Sequence, residues 1–496
     1  ELSRDGITDE RLVVSMIGYI WDTVSTEDKK FVFVTLESYK TDEILVEGKE
    51  KSNTVLSNVG LTEQMNSGEF EKAACCDLSG CFGTNSSVEV KVTDVITKTK
   101  DMKLLGVNGS YTQVLIDNLP IMSGLSKKYG ISSIPGTLIN SIMISKGSNS
   151  VLQGYESISG IINVLLKDET TSEKLFVNGF VNEVLEKQFN VNYGQKFGQW
   201  NTLISGHTVQ KSNRVDNNGD GFMDNPLITR YMFYNKWKYD ASETEGLDIA
   251  FKYLNEERIG GQNDFQPNTD LGGITVYGQT ADIEEGSFYG RLSINTGSES
   301  SIKAGISGSR YNENSYYGYT NYDGKQTEFY LSAYYETPVF EKSDLRIGAS
   351  YRYQDINEDI AFQQPTSKTY NGNYNKKESV PGIFVENSTQ LMDDKVELLT
   401  GVRLDHHNEY DFFLTPRALV KYSISPETIV RASVGTGFRT LNLFSEYSSI
   451  LATSRNIIIT EELEPEKAIN FGVNLVQYFT MNDISGNFVV DFYRTN

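Results

Sequence analysis

No run in the sequence approaches the roughly 18 uninterrupted apolar residues that a spanning helix requires, so any membrane crossing has to be made with strands. Basic residues are scarce: 45 Lys and Arg stand against 66 Asp and Glu, a formal charge of -21, which argues against a nucleic-acid partner. Only three histidines exist, His207, His406 and His407, which argues against a haem held by paired axial histidines. The three cysteines, Cys75, Cys76 and Cys81, lie so close together that they cannot frame a fold with disulfides. No Ser-His-Asp arrangement, phosphate loop or close acid pair can be located, so an enzyme is a poor reading.

What is abundant is Tyr (29), Phe (25) and Gly (42), within a chain only 38% hydrophobic. That bias suits a β-barrel whose strands turn every second residue to a polar lumen and whose aromatics collect at the membrane interfaces. At 496 residues the chain is too long for one ordinary compact domain. From about residue 170 alternation recurs. Leu345, Ile347, Ala349, Tyr351 and Tyr353 interleave with Arg346, Gly348, Ser350, Arg352 and Gln354, and an Arg at alternate positions requires that one face be wet. The runs 430–434 and 469–475 repeat the pattern. Short connections are expected near 196–199, 241–245, 297–300, 338–343, 392–394 and 424–427. Longer ones are expected near 210–226, 257–286, 312–325, 355–379 and 437–465. Alternation of short and long is what tight periplasmic turns and long outer loops predict, and roughly fifteen strands are counted.

Residues 101–167 carry short β runs, Thr112 to Ile116, Ile142 to Ser145 and Gly160 to Leu166, separated by Gly, Asn, Pro and Ser. In order along this stretch come Leu115-Ile116-Asp117-Asn118-Leu119-Pro120, Ile134-Pro135, Ile142 to Gly147, Ser150, Gly154 and Ser159 to Val164. This series resembles the plug of TonB-dependent outer-membrane receptors and transporters. Asn118 stands where Gly is usual in them, and Asn is well able to take positive φ. GTGFRTLNLFSEY (435–447) and LEPEKAINFGVNL (463–475) resemble two barrel patterns of the same family, with Phe438, Arg439 and Glu466 expected to fix an outer loop to the wall.

The resemblance implies an all-β membrane protein of the Gram-negative outer membrane: a 22-stranded transmembrane β-barrel, only part of it present, with an N-terminal α+β plug in the lumen. Residues 1–40 resemble the end of a carboxypeptidase-regulatory-like β-sandwich, 41–60 a linker, 61–168 the plug and 169–496 the barrel. Glu1 is not an initiator, so processing or a preceding region is expected. The implied function is TonB-dependent import of a scarce nutrient, with a metal chelate such as a siderophore, or cobalamin, favoured. A glycan or peptide importer and a plugged receptor without transport are the alternatives. The implied partners are TonB, a small extracellular ligand, outer-membrane lipid and lipopolysaccharide, and a surface lipoprotein. The TonB box is placed on Asp42, Glu43, Ile44, Leu45, Val46 and Glu47, as a strand that adds to TonB. Ligand contact is placed on a mobile plug apex, Met122, Ser123, Leu125, Ser126, Lys127, Lys128 and Tyr129.

Two further motifs stand apart. Asp216, Asn218, Asp220, Phe222 (by its carbonyl) and Asp224, with Gly221 at the sixth position, match the first three quarters of an EF-hand calcium loop; position 12 is Leu227 rather than a bidentate Glu. The same residues also suit a polar turn. Cys75-Cys76 with Cys81 could select a soft metal, although a local disulfide or buried small side chains is the simpler reading.

Overall fold

The computed structural model describes residues 11–14, 22–25, 53–54, 59–73, 75–242, 244–297, 299–481 and 484–496. Residues 1–49 form one compact unit, in which Arg11–Val14 and Asp22–Ser25 pair as an antiparallel hairpin. Residues 50–496 form the second.

Within the second unit the plug is built on a five-stranded sheet in the order 53–54, 62–65, 139–146, 160–166, 112–116. All its pairings are antiparallel except that of Thr112–Ile116 with Gly160–Leu166. The three β runs expected from sequence are therefore strands of one sheet. Their side chains, among them Leu115, Ile142, Ile144, Ile162 and Val164, form the buried plug core. Asn118 takes the left-handed conformation (φ 66°), where its N–H and side chain both bond Asn163 on the neighbouring strand. Helices Ser67–Lys72, Leu78–Cys81 and Lys127–Ser133, and a separate hairpin of Val88–Val92 with Lys100–Leu104, complete the plug.

From Leu175–Val181 to Ile484–Thr495 run fifteen antiparallel strands, each bonded to the next in sequence. The sheet wraps the plug: Asn192 near its start bonds the Thr137 carbonyl, and Asp491 near its end bonds Lys146. Among the described residues the first and last strands are not paired with each other, so the observed sheet has fifteen strands where 22 were expected for the whole barrel.

The burial pattern inverts that of a water-soluble sheet. Facing inward and buried are Arg230, Lys236, Glu256, Arg258, Glu285, Glu313, Glu328, Arg352 and Arg403. Facing outward and exposed are Phe189, Phe233, Phe251, Leu331, Ile347, Ile383, Val402 and Phe471. Water would not tolerate so wide a band of exposed apolar side chains, whereas hydrocarbon would. At one end Phe197, Trp200, Trp237 and Tyr239 cluster, with Trp200 and Tyr239 centroids 5.0 Å apart, as an interfacial aromatic girdle.

That girdle marks the end where, among the described strands, the connections are short, as at 198–199, 341–342, 392–395 and 424–427. The opposite end carries the long connections 212–226, 262–277, 363–371 and 440–465. One expected long loop is absent. Residues 312–325 are strand, turned tightly at Gly318-Tyr319 between Ser301–Tyr317 and Thr320–Phe340. Here the 17- and 21-residue strands outrun the roughly 9–11 residues that cross a bilayer, and both their faces become polar, which removes the alternation that marks a strand.

Candidate functional site: plug clamp and outer loops

The inward charges meet the plug in discrete clusters. Asp117 lies in the turn after strand Thr112–Ile116, only 2% exposed. Its carboxylate accepts from Lys236 Nζ (3.0 Å), the Tyr289 hydroxyl and the Leu166 N–H (3.2 Å). Burial alone would raise this carboxyl's pKa, but Lys236 and Arg291 outweigh it and hold the group below its ordinary value. Glu256 is forked between Arg230 (2.5 Å) and Arg258; Arg230 donates to the Ser132 carbonyl and Arg258 to the Thr97 carbonyl (2.9 Å), both on the plug. Arg352 bridges Glu328 on the wall (2.9 Å) and Glu156 on the plug (2.6 Å). Farther round, Glu386 accepts from the Val151 N–H and Arg417 donates to the Ser150 carbonyl. Charges buried at this depth are tolerated because they are ion-paired or, as at Arg417, bonded to backbone carbonyls, and removing one partner of a pair leaves the other uncompensated.

The segment expected to be a mobile apex is instead wedged into this clamp. Met122, Ser123, Leu125, Ser126 and Tyr129 are buried. Ser123 bonds Glu328, and the Leu125 N–H donates to Gln326 (2.8 Å). Lys127 donates to the Gly109 and Thr112 carbonyls, and its burial pulls its pKa down. Lys128 reaches Glu313 (2.6 Å) and the Tyr317 hydroxyl; burial opposes its charge, but Glu313 overcomes that and holds the ammonium well above its usual range. Burial pushes the Tyr129 phenol well up. Lys and Ser look solvated in sequence, yet here barrel strands supply partners to Ser123 and Lys128, and plug carbonyls supply them to Ser126 and Lys127.

A different plug element faces the long-loop end. The tip of hairpin 88–104, residues 93–99, is turned by Asp94, whose carboxylate accepts from the Ile96 and Thr97 N–H groups (2.8 Å each). Val95 on this tip is 70% exposed, and the tip lies beside Arg258 and Gly260, where strand Gly246–Gly261 ends. Sequence reading passed over it, although the alternating VEVKV and the acid-led turn after it carried a hairpin signal.

Over the plug the long loops interlock. Gln364 donates to the Gly272 carbonyl (3.0 Å), and the Thr369 N–H donates to Asn456 (2.8 Å). Lys376 donates to Thr440 (2.7 Å) and Asn442 (3.0 Å). Tyr317, Tyr322, Tyr370 and Phe444 form an aromatic cluster there, with Phe362 and Tyr374 packed on it. Helix Leu443–Glu446 of the 440–465 loop lies against plug residues 124–126. Arg439 pairs with Glu446 (2.8 Å) and Glu466 (2.6 Å) while covering the plug's Tyr111 ring at 4.6 Å, and Phe438 stacks on the plug's Tyr155 at 4.2 Å. Thus Phe438, Arg439 and Glu466 tie loop, wall and plug together.

The other predicted residues separate. Asp42 to Glu47 lie outside the described residues. Asp216 accepts from the Gly219, Asp220 and Gly221 N–H groups, Asp220 from the Phe222 N–H, Asn218 bonds Asp220, and Asp224 accepts from the Asn217 N–H, in a turn at the long-loop end. Among the described residues no group of three or more His, Cys, Asp or Glu side chains is arranged as a metal site. Cys75 and Cys81 form a disulfide in the plug, as the simpler reading of the cysteines had it. His406 and His407 point to opposite faces, the first onto Phe412 and the second buried beside Glu378.

Residues 178–496 match the family described as TonB dependent receptor-like, beta-barrel, and residues 62–161 match the TonB-dependent Receptor Plug Domain. The chain belongs to the TonB-dependent receptors. Members of this family are receptors and transporters of the Gram-negative outer membrane, not enzymes. A vitamin B12 transporter, BtuB, of Vibrio vulnificus is 20% identical over 459 residues, 90% of this chain and 69% of that protein. Among solved structures, the ferripyoverdine receptor of Pseudomonas aeruginosa superposes with a TM-score of 0.68 at 12% identity, covering 89% of this chain and 64% of that one. The alcaligin receptor FauA of Bordetella pertussis gives 0.63 at 14% identity, covering 88% and 71%. The chain thus spans about two thirds of the length of these TonB-dependent receptors.

Proposed function

We propose that the chain contributes the plug and much of the barrel of a TonB-dependent importer that brings a scarce nutrient across the outer membrane. A metal chelate such as a siderophore, or cobalamin, is the favoured cargo. The observation that carries the reading is the clamp: the plug is held by buried ion pairs and hydrogen bonds beneath interlocked loops, an attachment a directed pull can undo. The names of the relatives, which concern vitamin B12, ferripyoverdine and alcaligin, support this cargo class.

In this mechanism the ligand enters between the loops and the 93–99 tip. The 122–129 segment then takes part through its contact with helix Leu443–Glu446. Occupancy shifts the population toward a state in which the periplasmic segment is free. TonB adds to Asp42 to Glu47 as an edge strand and draws the plug aside. The polar strand extensions would meet lipopolysaccharide, and a surface lipoprotein would dock on the loops. We assign the Arg11–Val14 and Asp22–Ser25 hairpin to the end of a carboxypeptidase-regulatory-like domain, and weak calcium binding to the Asp216 to Asp224 turn.

Growth of a deletion strain on limiting iron, cobalamin, copper or glycan, rescued by the gene, tests the cargo; rescue in one condition alone names the class. Deleting residues 42–47 is expected to abolish uptake and leave ligand binding intact. Unchanged uptake would favour a plugged receptor without transport, and a glycan-only rescue would favour a glycan importer. Large steady conductance in a planar bilayer would reject both plugged readings.

A further inference from the structure

We infer that Tyr319, Phe362 and Tyr370 form a binding site for an organic ammonium group, and that Lys368 occupies it as an internal stand-in. The inference rests on the proposed reading that the long-loop end faces the ligand, and names one chemical group it would accept.

Lys368 sits in the 363–371 loop yet is only 8% exposed. Its Nζ lies 5.0 Å from the Tyr319 ring centroid, 5.9 Å from Phe362 and 5.8 Å from Tyr370. The walls are steeply inclined: Phe362 meets Tyr370 at 85° and Tyr319 at 68°. Three faces set around one point make a box for a cation, since each ring presents its negative face within about 6 Å of the charge. No carboxylate among the described residues forms a salt bridge with Lys368, so the rings provide the electrostatic partner that an acid usually provides. The walls are held from outside. Tyr370 packs on Phe444, Phe362 extends a barrel strand, and Tyr319 occupies the tight turn after Gly318. Removing the ammonium would therefore leave the cage standing.

A tethered lysine acts at a high effective concentration, so a free ammonium cannot displace it unaided. A ligand carrying an alkylammonium along with other groups that hold the loops can. Displacement would move Lys368 and its neighbour Thr369, whose N–H and hydroxyl both bond Asn456 of the 440–465 loop. That loop touches the plug through helix Leu443–Glu446, so exchange of one ammonium for another reaches the plug by a chain of contacts.

The test uses the full chain purified in detergent and tetramethylammonium as probe, followed by saturation-transfer NMR against sodium at equal ionic strength. Lys368→Ala removes both the stem and the charge and so vacates the box. It is expected to bind the probe at least about tenfold more tightly than the unaltered chain, as the gain from several rings implies. Lys368→Arg should behave as the unaltered chain, and adding Phe362→Leu to Lys368→Ala should abolish the gain. Equal probe binding by Lys368→Ala and the unaltered chain would overturn the inference, as would a gain indifferent to Phe362. Because the readout is equilibrium binding, a failure of transport would leave it untouched.

Discussion

Replacing Lys236 by Met is the sharpest perturbation of the clamp, because it removes the lysine that bonds Asp117 while filling the same space. Asp117 would keep the Tyr289 hydroxyl, the Leu166 N–H and the field of Arg291. Breaking a buried pair from one side costs about 3–5 kcal/mol, and these remaining donors bring the expected loss to about 2–4 kcal/mol. The loss should appear as faster amide exchange in strands Thr112–Ile116 and Gly160–Leu166, with the outer barrel strands unaffected. Adding Asp117→Asn removes the orphaned charge and should recover at least half of the protection. The pH dependence follows from the depressed pKa of Asp117. Its contribution is present above the unfolded carboxyl value of about 4 and lost as pH falls through the lower folded value. Acidification below about pH 4 should therefore loosen the plug in the unaltered chain, whereas in Lys236→Met burial dominates, the carboxyl rises, and mild acid should restore protection. Unchanged exchange in Lys236→Met, or a double variant no better than the single, would refute the clamp.

Other outcomes follow from single contacts. Ile347→Arg places a charge on the lipid face of a barrel strand, where Ile347 is 53% exposed, and should cost about 2–4 kcal/mol of barrel stability in lipid vesicles; a neutral result would mean that this face is not in hydrocarbon. Gly160→Ala should loosen the plug by about 1–3 kcal/mol in denaturant titrations, because Gly160 has φ 148° and a Cβ there would meet the Ser145 carbonyl at 2.4 Å. If the Asp216 turn binds calcium, millimolar calcium should slow proteolysis near residue 220, and Asp216→Ala should remove that effect; equal cleavage with and without calcium would exclude it.

Much of the fold was legible because membrane strands keep a strict period of two with the apolar set outward, as in Leu345 to Gln354. There Ile347 is exposed and Arg352 is buried against Glu328. Legibility ended where both faces meet water, at residues 312–325, since Glu313 and Asn314 are equally polar although one points in and the other out. The candidate site was harder for a different reason. Lys128 and Ser123 are placed by Glu313 and Glu328, which lie 185 and 205 residues away, so no local pattern could tell a buried clamp from a solvated turn. Some inward charges were readable, because Arg346 and Arg352 stand at an even spacing opposite the apolar set Leu345 to Tyr353.

The chemistry of the clamp bears on whether the plug is a permanent stopper or a removable one. A plug sealed to the wall by apolar packing would expose that surface on leaving, at about 25 cal/mol per Å² on each side. The contacts here are of both kinds: Tyr155 stacks on Phe438, and Leu125 and Tyr129 pack with Ala281, Ile283 and Tyr311, while Arg258 donates to the Thr97 carbonyl and Arg417 to that of Ser150. Water can replace those partners one at a time as a force is applied, so each step trades a paired charge for a hydrated one. Ile142, Ile144, Ile162 and Val164 are buried within the plug's own sheet, but the same cluster runs on to Leu203, Met232, Ala250 and Leu254 of the wall, so part of it would be uncovered as the plug shifts. An interface of this composition yields stepwise at its polar contacts and resists at its apolar ones, so moving the plug requires applied work.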